Sequence, residues 1–333
     1  KGPSAASAQS PSKGKNTMER PANQIFALLV LLIGLCPVVW AQTYPTKPIR
    51  VIVPFPAGES IDATARLIAQ PWMAALGQQM VIDNRGGAGG TIGTELAAKA
   101  LPDGYTISYG NLGPLSIGPN LYQKLGYDLF RDLAPVSQAT SLPFVLFGST
   151  TLTVNTAQEL VAYAKARPGQ LNFGSTGVGS GLHLMGELFK LTAGVDIVHV
   201  PFKGVAQAVP DMMAGRLQLA FNTIPAFLPH VKAGRLKAFV ITAPKRSPLL
   251  PDVPACTEVG LPGLDSNAWH AVVAPSRTPK EIIRKLQQTL ARTLADPEVR
   301  SQLAAVGAEP VASTPEEFAK FMRAESQKWA RVI

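Results

Sequence analysis

Residues 49–66 read IRVIVPFPAGESIDATAR, and the pattern of this stretch predicts a strand, a turn and a helix in that order. The β-branched, apolar run at residues 49–53 predicts a buried strand, which two prolines end. A short loop containing Gly58 then opens a segment of helical periodicity that carries Asp62. A strand, a tight turn and a helix start in this order aim free backbone N–H groups at one point, and a helix N-terminus attracts anions.

Strand-like and helix-like segments alternate along the rest of the chain, which predicts an α/β architecture with mostly parallel sheets. The chain crosses into a second group of strands and helices near residue 144 and returns near residue 268. We therefore expect two lobes. The first consists of residues 42–144 plus 268–333, and the second of residues 145–267.

Helix starts are marked in the sequence by capping boxes, in which a threonine precedes a glutamate by three residues. Thr156, Thr278 and Thr314 each fit this pattern, the latter two with proline at the first helical position. These are structural signals and carry no information on function.

Residues 18–41 are typical of a cleavable secretory signal peptide. A short polar head precedes an apolar run at residues 25–36, and cleavage is expected after Ala41, which predicts a periplasmic protein. An uncleaved anchor is the alternative, but the run is shorter than the ~20 residues that span a bilayer. Residues 1–17 are rich in Ser, Gly and Lys and are treated as an upstream extension outside the fold.

The 333 residues carry a net charge of +9, and the +6 that remains after removal of residues 1–41 is a modest basic excess. Because the basic residues are scattered and the destination is extracytoplasmic, no nucleic-acid partner is expected. The remaining roughly 290 residues suit two lobes. Cys256 is their only cysteine, so no internal disulfide is expected.

Two further glycine-rich loops follow the first one. Residues 84–93 (NRGGAGGTIG) match neither G-x-G-x-x-G nor the Walker motif, which argues against a nucleotide site and leaves tight packing or close backbone approach to a ligand. Residues 174–183 (GSTGVGSGLH) follow a strand and precede a helix. Their hydroxyl and amide groups suit a carboxylate or a phosphate.

Catalytic and metal chemistry are weakly supported. His183 and Glu187 have a spacing that can hold a metal, but no third ligand follows at a suitable distance, so neither a metal nor a cofactor is expected. The segment around Ser60 nearly matches the nucleophile elbow G-x-S-x-G, with Asp62 in place of the second glycine. A secreted α/β hydrolase with Ser60 as nucleophile is therefore the alternative function, and a scaffold protein without transport activity is a third.

The sequence resembles the Bug family, the TctC-like substrate-binding proteins of tripartite tricarboxylate transporters. The resemblance covers nearly all of the chain after the signal peptide. It rests on an ordered set of matches at residues 44–66, 86–93, 100–105, 174–183, 201–204, 250–254, 307–310 and 313–329.

The resemblance implies a two-lobed type II periplasmic binding protein, in which each lobe is a mostly parallel sheet flanked by helices. The cleft between the lobes would close around a small carboxylate without chemistry. The implied partners are the permease subunits of a tripartite transporter and, as a further role, a sensor protein. The protein is expected to be a monomer.

The family pattern assigns the ligand-binding positions to both lobes. The first loop would hold a carboxylate through backbone amides and bridging waters, with residues 113–116 completing the wall. The candidate ligand-binding residues are Phe55, Gly58, Ser60, Asp62, Thr91, Ser175, Thr176, Gly177, Ser180, His183 and Asn222.

Two positions depart from the family pattern. Where the family usually has Gly-Gly, this chain has Gly58-Glu59, so a carboxylate lies beside the expected anion site. Where the family has Phe-Asp-Asn, this chain has Phe221-Asn222-Thr223, which removes an acid that could pair with an ammonium group. We therefore expect a carboxylate ligand without an essential amino group, with aromatic acids and dicarboxylates among the candidates.

Overall fold

The structure, a computed structural model, describes residues 44–333 together with residues 1, 2, 4, 7, 9 and 10. The expected signal peptide at residues 18–41 lies outside the described residues. Residues Tyr44–Ile333 form one compact unit. No helix in this described part is long and apolar enough to cross a membrane.

Ten strands and eleven α-helices make up the described unit. The strands are β1 (Ile49–Val53), β2 (Met80–Asn84), β3 (Thr106–Asn111), β4 (Leu133–Ser149), β5 (Asn172–Ser175), β6 (Val198–Pro201), β7 (Leu219–Thr223), β8 (Leu236–Ile241), β9 (Asn267–Pro275) and β10 (Glu309–Pro310). The helices are α1 (Ser60–Leu76), α2 (Thr91–Ala98), α3 (Gly118–Leu121), α4 (Leu129–Asp132), α5 (Ala157–Lys165), α6 (Gly181–Ala193), α7 (Val205–Met213), α8 (Ile224–Lys232), α9 (Lys280–Ala295), α10 (Pro297–Ala305) and α11 (Pro315–Trp329). Short helical turns lie at Ala88–Gly90, Gly113–Ile117 and Pro262–Leu264.

The strands form two sheets that share β4. The first sheet has the order β2-β1-β3-β9-β4-β10, with β1, β2 and β3 parallel and β9 antiparallel to both of its neighbours. The second sheet has the order β8-β4-β7-β5-β6, in which β5, β6 and β7 are parallel. The expectation of mostly parallel sheets is wrong, because β4 and β9 run antiparallel to every strand that they pair with and make both sheets mixed. We call each sheet with its helices a lobe.

Strand β4 passes from one sheet to the other. Up to Pro143 it pairs with β9, and from Phe144 onward it pairs with β7 and β8. Thr242 stabilises the point where β4 crosses between the sheets. Its N–H donates to the Phe144 carbonyl (2.9 Å), and its hydroxyl donates to the Ser266 carbonyl (2.6 Å). A hinge is expected where so few strands join the lobes. The lobe boundaries at residues 144–145 and 267–268 stay a prediction.

The opening stretch folds as its pattern predicts. Four of the five residues of β1 are buried, as expected for a strand covered on both faces. The apolar residues of α1 that recur at helical spacing are all buried: Ile61, Ala65, Ile68, Trp72 and Leu76. Trp72 donates to the Thr289 hydroxyl at 2.9 Å, which fixes α1 against α9.

Two of the three predicted capping boxes are confirmed. Thr156 and Thr314 each bond to the N–H of a glutamate three residues later, and the glutamate bonds back. The prediction for Thr278 is wrong, because Pro279 itself occupies the N-cap position and α9 begins at Lys280. Thr278 therefore lies one residue too early to cap the helix, and its buried hydroxyl has no partner among the described residues.

Candidate functional site

A cavity of about 40 Å³ lies where the start of α1 in the first lobe faces the start of α6 in the second. Typical ligand pockets measure ~300–1,000 Å³. The cleft thus leaves room for only about three water molecules, which is too little for an organic acid. A ligand can enter only when the two lobes separate.

The cavity wall contains some of the predicted site residues and several that the sequence did not indicate. Among the predicted residues, the wall contains Phe55, Ser60, Thr176, Ser180 and Asn222. The additional wall residues are Glu59, Ile61, Asn111, Leu112, Phe144, Gly181, Leu182, Thr223, Ala268, Trp269 and His270. The predicted residues that lie outside this wall are Gly58, Asp62, Thr91, Ser175, Gly177 and His183. Direct ligand contact by any of these residues stays a prediction.

The start of α1 presents its backbone to the cavity. Glu59 occupies the N-cap position, but its side chain makes no capping bond to α1. The first N–H groups of a helix have no partner within the helix. Because Ser60 and Ile61 line the cavity, their N–H groups are placed to meet an anion there.

Asp62 stabilises the loop and does not face the cavity. Its carboxylate accepts bonds from the Gly58 N–H (2.9 Å), from Arg66 (3.0 Å) and from Asn84 (3.0 Å). Burial raises the pKa of the Asp62 carboxyl, but these three donors outweigh burial and lower it. The Gly58 amide is therefore engaged by Asp62, and both residues position the α1 start.

The start of α6 forms the opposite wall. Ser180 is the N-cap of α6, and its hydroxyl accepts from the His183 N–H at 3.3 Å. This bond leaves the N–H groups of Gly181 and Leu182 at the cavity side of the helix start. Behind them, Ser175 and His199 share a hydrogen bond of 2.7 Å that holds the loop.

A third helix start, that of α8, reaches the same cavity. Asn222 and Thr223 end β7 and line the wall, and Asn222 Oδ1 accepts from the Thr223 N–H at 2.8 Å. Thr223 is the N-cap of α8 but makes no side-chain capping bond. Its buried hydroxyl has no hydrogen-bond partner among the described residues. An unpaired hydroxyl therefore adjoins the cavity.

The second glycine-rich loop closes the cleft through its backbone. A Cβ on Gly89 would lie 2.8 Å from the Val178 carbonyl oxygen, which belongs to the opposite lobe. Gly93 packs within its own lobe, since a Cβ there would lie 2.5 Å from the Arg85 carbonyl oxygen. Thr91 donates to the carbonyl of Ala88 in its own loop at 2.9 Å. This loop thus serves tight packing and contact between the lobes.

The structure gives no geometric support to the hydrolase alternative. Ser60 makes no hydrogen bond to a histidine among residues 44–333, and His270 Nδ1 instead bonds Thr64 and Thr140 at 2.9 and 3.2 Å. His183 Nε2 lies 3.8 Å from Glu187. Within the described residues, no group of three or more His, Cys, Asp or Glu side chains is arranged to hold a metal ion.

Two histidines with lowered pKa values predict a pH dependence of stability. Burial lowers the pKa of His199 to about 4 and that of His270 to about 3. Both groups titrate near ~6.5 in the unfolded chain, so the unfolded state alone takes up these protons as the pH falls. The free energy of unfolding should therefore decrease from about pH 6.5 downward.

Melting temperatures measured between pH 7.5 and pH 5 check this expectation. The His199→Gln variant should show a shallower decrease than the unsubstituted protein, because it lacks one of the groups that protonate on unfolding. An equal slope in both proteins would contradict the assignment to His199.

Known proteins resemble this chain over most of its length. Residues 64–333 match the model of the tripartite tricarboxylate transporter family receptor, TctC. The BugT protein of Bordetella pertussis is 38% identical over 310 residues, which cover 93% of this chain and 95% of BugT.

Solved structures show the same fold. A protein of R. palustris with adipate has a TM-score of 0.83 at 36% identity, covering 87% of this chain and 97% of that one. MatC from Rhodopseudomonas palustris with bound malate has a TM-score of 0.81 at 33% identity, covering 87% and 99%. The periplasmic binding protein BugD matches at 33% identity with a TM-score of 0.81, covering 87% and 97%.

These findings confirm the predicted α/β fold of a two-lobed periplasmic binding protein and the resemblance to the Bug proteins. The match extends over most of the chain and over nearly the full length of each relative. The protein therefore belongs to the family of tripartite tricarboxylate transporter receptors.

Proposed function

We propose that this protein captures a small carboxylate in the periplasm and delivers it to the permease of a tripartite transporter. The observation that carries the proposal is the meeting of three helix N-termini, those of α1, α6 and α8, at one closed cavity. Each helix start carries a partial positive charge, and those of α1 and α6 also offer free N–H donors at the cavity. No lysine or arginine lines this cavity, so backbone N–H groups and neutral polar side chains are the anion donors it offers.

The rest of the wall suits the body of an organic acid. Phe55, Phe144 and Trp269 give the cavity an aromatic, apolar lining. The Thr223 hydroxyl adds a polar group that lacks a partner among the described residues. Apolar walls with a few directed polar groups are the usual composition of a small-molecule site.

Ligand capture requires movement about the β4 crossing. The lobes must separate to admit a ligand, and bonds from both lobes to the carboxylate then favour the closed state. Relatives of known structure support an acidic ligand, since two of them contain adipate and malate. A permease partner follows from family membership, and a sensor partner and a monomeric state complete the proposal.

A thermal-shift screen tests this function. Mono-, di-, tri- and aromatic carboxylates are each compared with the matching amide, which has the same shape without the charge. A ligand at one hundred times its Kd should raise the melting temperature by about 5 °C, because it binds the folded state alone. Equal shifts with acids and amides, or no shift with any acid, would overturn the proposal.

Replacing Thr223 with valine distinguishes an effect on ligand binding from an effect on the stability of the fold. The melting temperature without ligand should stay the same or rise, because the substitution removes a buried hydroxyl that has no partner. The Kd of the best acid from the screen should increase about tenfold, since one hydrogen bond to a charged group is lost. Isothermal titration calorimetry measures this change.

Thr293→Val is the matched control for this variant. The Thr293 hydroxyl is buried but donates to the Thr289 carbonyl at 3.0 Å, away from the cavity. This control should lower the melting temperature and leave the Kd unchanged. The same Kd for Thr223→Val and the unsubstituted protein would remove Thr223 from the site.

A further inference from the structure

Glu59 reaches from the first lobe into the second. It directly precedes α1, yet its Oε1 atom accepts a hydrogen bond of 2.9 Å from the N–H of Val205, the first residue of α7. These two residues are 146 positions apart in the chain. The Glu59 carboxylate thus caps a helix of the opposite lobe and leaves its own helix uncapped.

The second lobe is shaped to receive this carboxylate. The N-cap of α7 is Gly204, which has no side chain to cap the helix itself. A Cβ on Gly204 would lie 3.1 Å from Glu59 Oε1, closer than most side chains tolerate. The glycine therefore leaves room for a carboxylate at a helix start, which is a favourable place for a negative charge.

Glu59 also brings a negative charge into the ligand cavity. It lines the wall together with the free N–H groups of Ser60 and Ile61. Among the residues of this wall it is the only acid, and no lysine or arginine is present to balance it. The anion-attracting helix starts and one carboxylate therefore share a small space.

We propose that Glu59 takes the place of a second ligand carboxylate and makes the protein selective for acids with a single carboxylate. This inference rests on the proposed function of the site. One ligand carboxylate binds at the starts of α1 and α6, and the start of α7 is already occupied by Glu59. A second ligand carboxylate would meet a like charge in a small space whose wall has no lysine or arginine to balance it, which is unfavourable.

Acids that differ only at the far end of the molecule test the inference. Hexanoate is compared with adipate, and benzoate with terephthalate, by calorimetry at pH 7.5 with the unsubstituted protein and with Glu59→Gln. Glutamine keeps the size of Glu59 and an oxygen for the Val205 N–H but removes the charge. Glu59→Gly is a second variant, in case the glutamine amide disturbs the contact with the Val205 N–H.

In the unsubstituted protein, the monocarboxylate of at least one pair should bind at least about tenfold more tightly than its dicarboxylate, which corresponds to ~1.4 kcal/mol. Either Glu59 variant should reduce this ratio about tenfold. The control Glu309→Gln removes the same charge from an exposed residue outside the cavity and should leave the ratio unchanged.

Two results would overturn the inference while the proposed function stands. One is tight binding of the dicarboxylate by the unsubstituted protein, and the other is an unchanged ratio in both Glu59 variants. Failure of every acid to bind the unsubstituted protein would instead overturn the proposed function, and the inference with it.

Discussion

Replacing Ser60 with proline is expected to weaken carboxylate binding about tenfold to hundredfold while the fold remains intact. Proline removes one backbone N–H from the start of α1, and a hydrogen bond to a charged group is worth ~1.5–3 kcal/mol. The helix tolerates this change, because proline is favoured at the first helical position. Glu59 already has the extended backbone (φ −71°, ψ 161°) that a residue before proline requires.

Ser60→Ala is the control, because it removes the hydroxyl and keeps the N–H. Calorimetry with the best acid from the screen gives Kd for both variants, and thermal melting reports the fold. The expected result is a large loss of affinity for Ser60→Pro alone. Because proline also lacks the hydroxyl, an equal loss of affinity in Ser60→Ala and Ser60→Pro would show that the side chain, and not the helix start, binds the ligand.

Replacing Gly89 with alanine should prevent full closure of the cleft and weaken ligand binding at least about tenfold. The new Cβ would lie 2.8 Å from the Val178 carbonyl oxygen and 3.1 Å from the Gly179 carbonyl carbon. Both are backbone atoms of the opposite lobe and cannot rotate away. If the lobes stay further apart by even a fraction of an ångström, bonds that depend on both lobes are weakened.

Gly234→Ala is the matched control for Gly89→Ala. Gly89 and Gly234 have similar positive φ angles of 63° and 66°, so both substitutions carry a backbone strain of ~1–2 kcal/mol. A Cβ on Gly234 meets nothing within 4 Å. Equal Kd values for the two variants would mean that strain, and not the contact between lobes, affects binding. Small-angle scattering with saturating ligand should show a larger radius of gyration for Gly89→Ala alone.

Local sequence patterns predicted β1, the start of α1 and the glycine-rich loops that lie near the cavity. The start of α1 and the start of α6 are each formed by a few consecutive residues. The local sequence was therefore enough to predict that both helix starts belong to the site. Residues such as Ser60 and Ser180 were found in this way. Glu59 was noted because it breaks the family pattern, although its partner was not predictable.

The remaining parts of the site depend on contacts between distant residues. Trp269 and His270 reach the cavity because β9 enters the first sheet between β3 and β4, which no local pattern reveals. Asp62 was expected to bind ligand, but Arg66 and Asn84 engage its carboxylate within the loop. The Val205 N–H can donate to Glu59 only after both lobes have folded. The sequence therefore predicted secondary structure better than it predicted where the side chains point.

The position of β9 also fixes the order in which the protein can assemble. All strands of the second sheet precede β9 in the chain, so that sheet can form while the first sheet is still split between β3 and β4. Until β9 pairs with both, these two strands present open edges, which are prone to intermolecular association. A chain that ends before residue 267 should therefore aggregate through these edges, and completion of the first sheet must wait for the last fifth of the sequence.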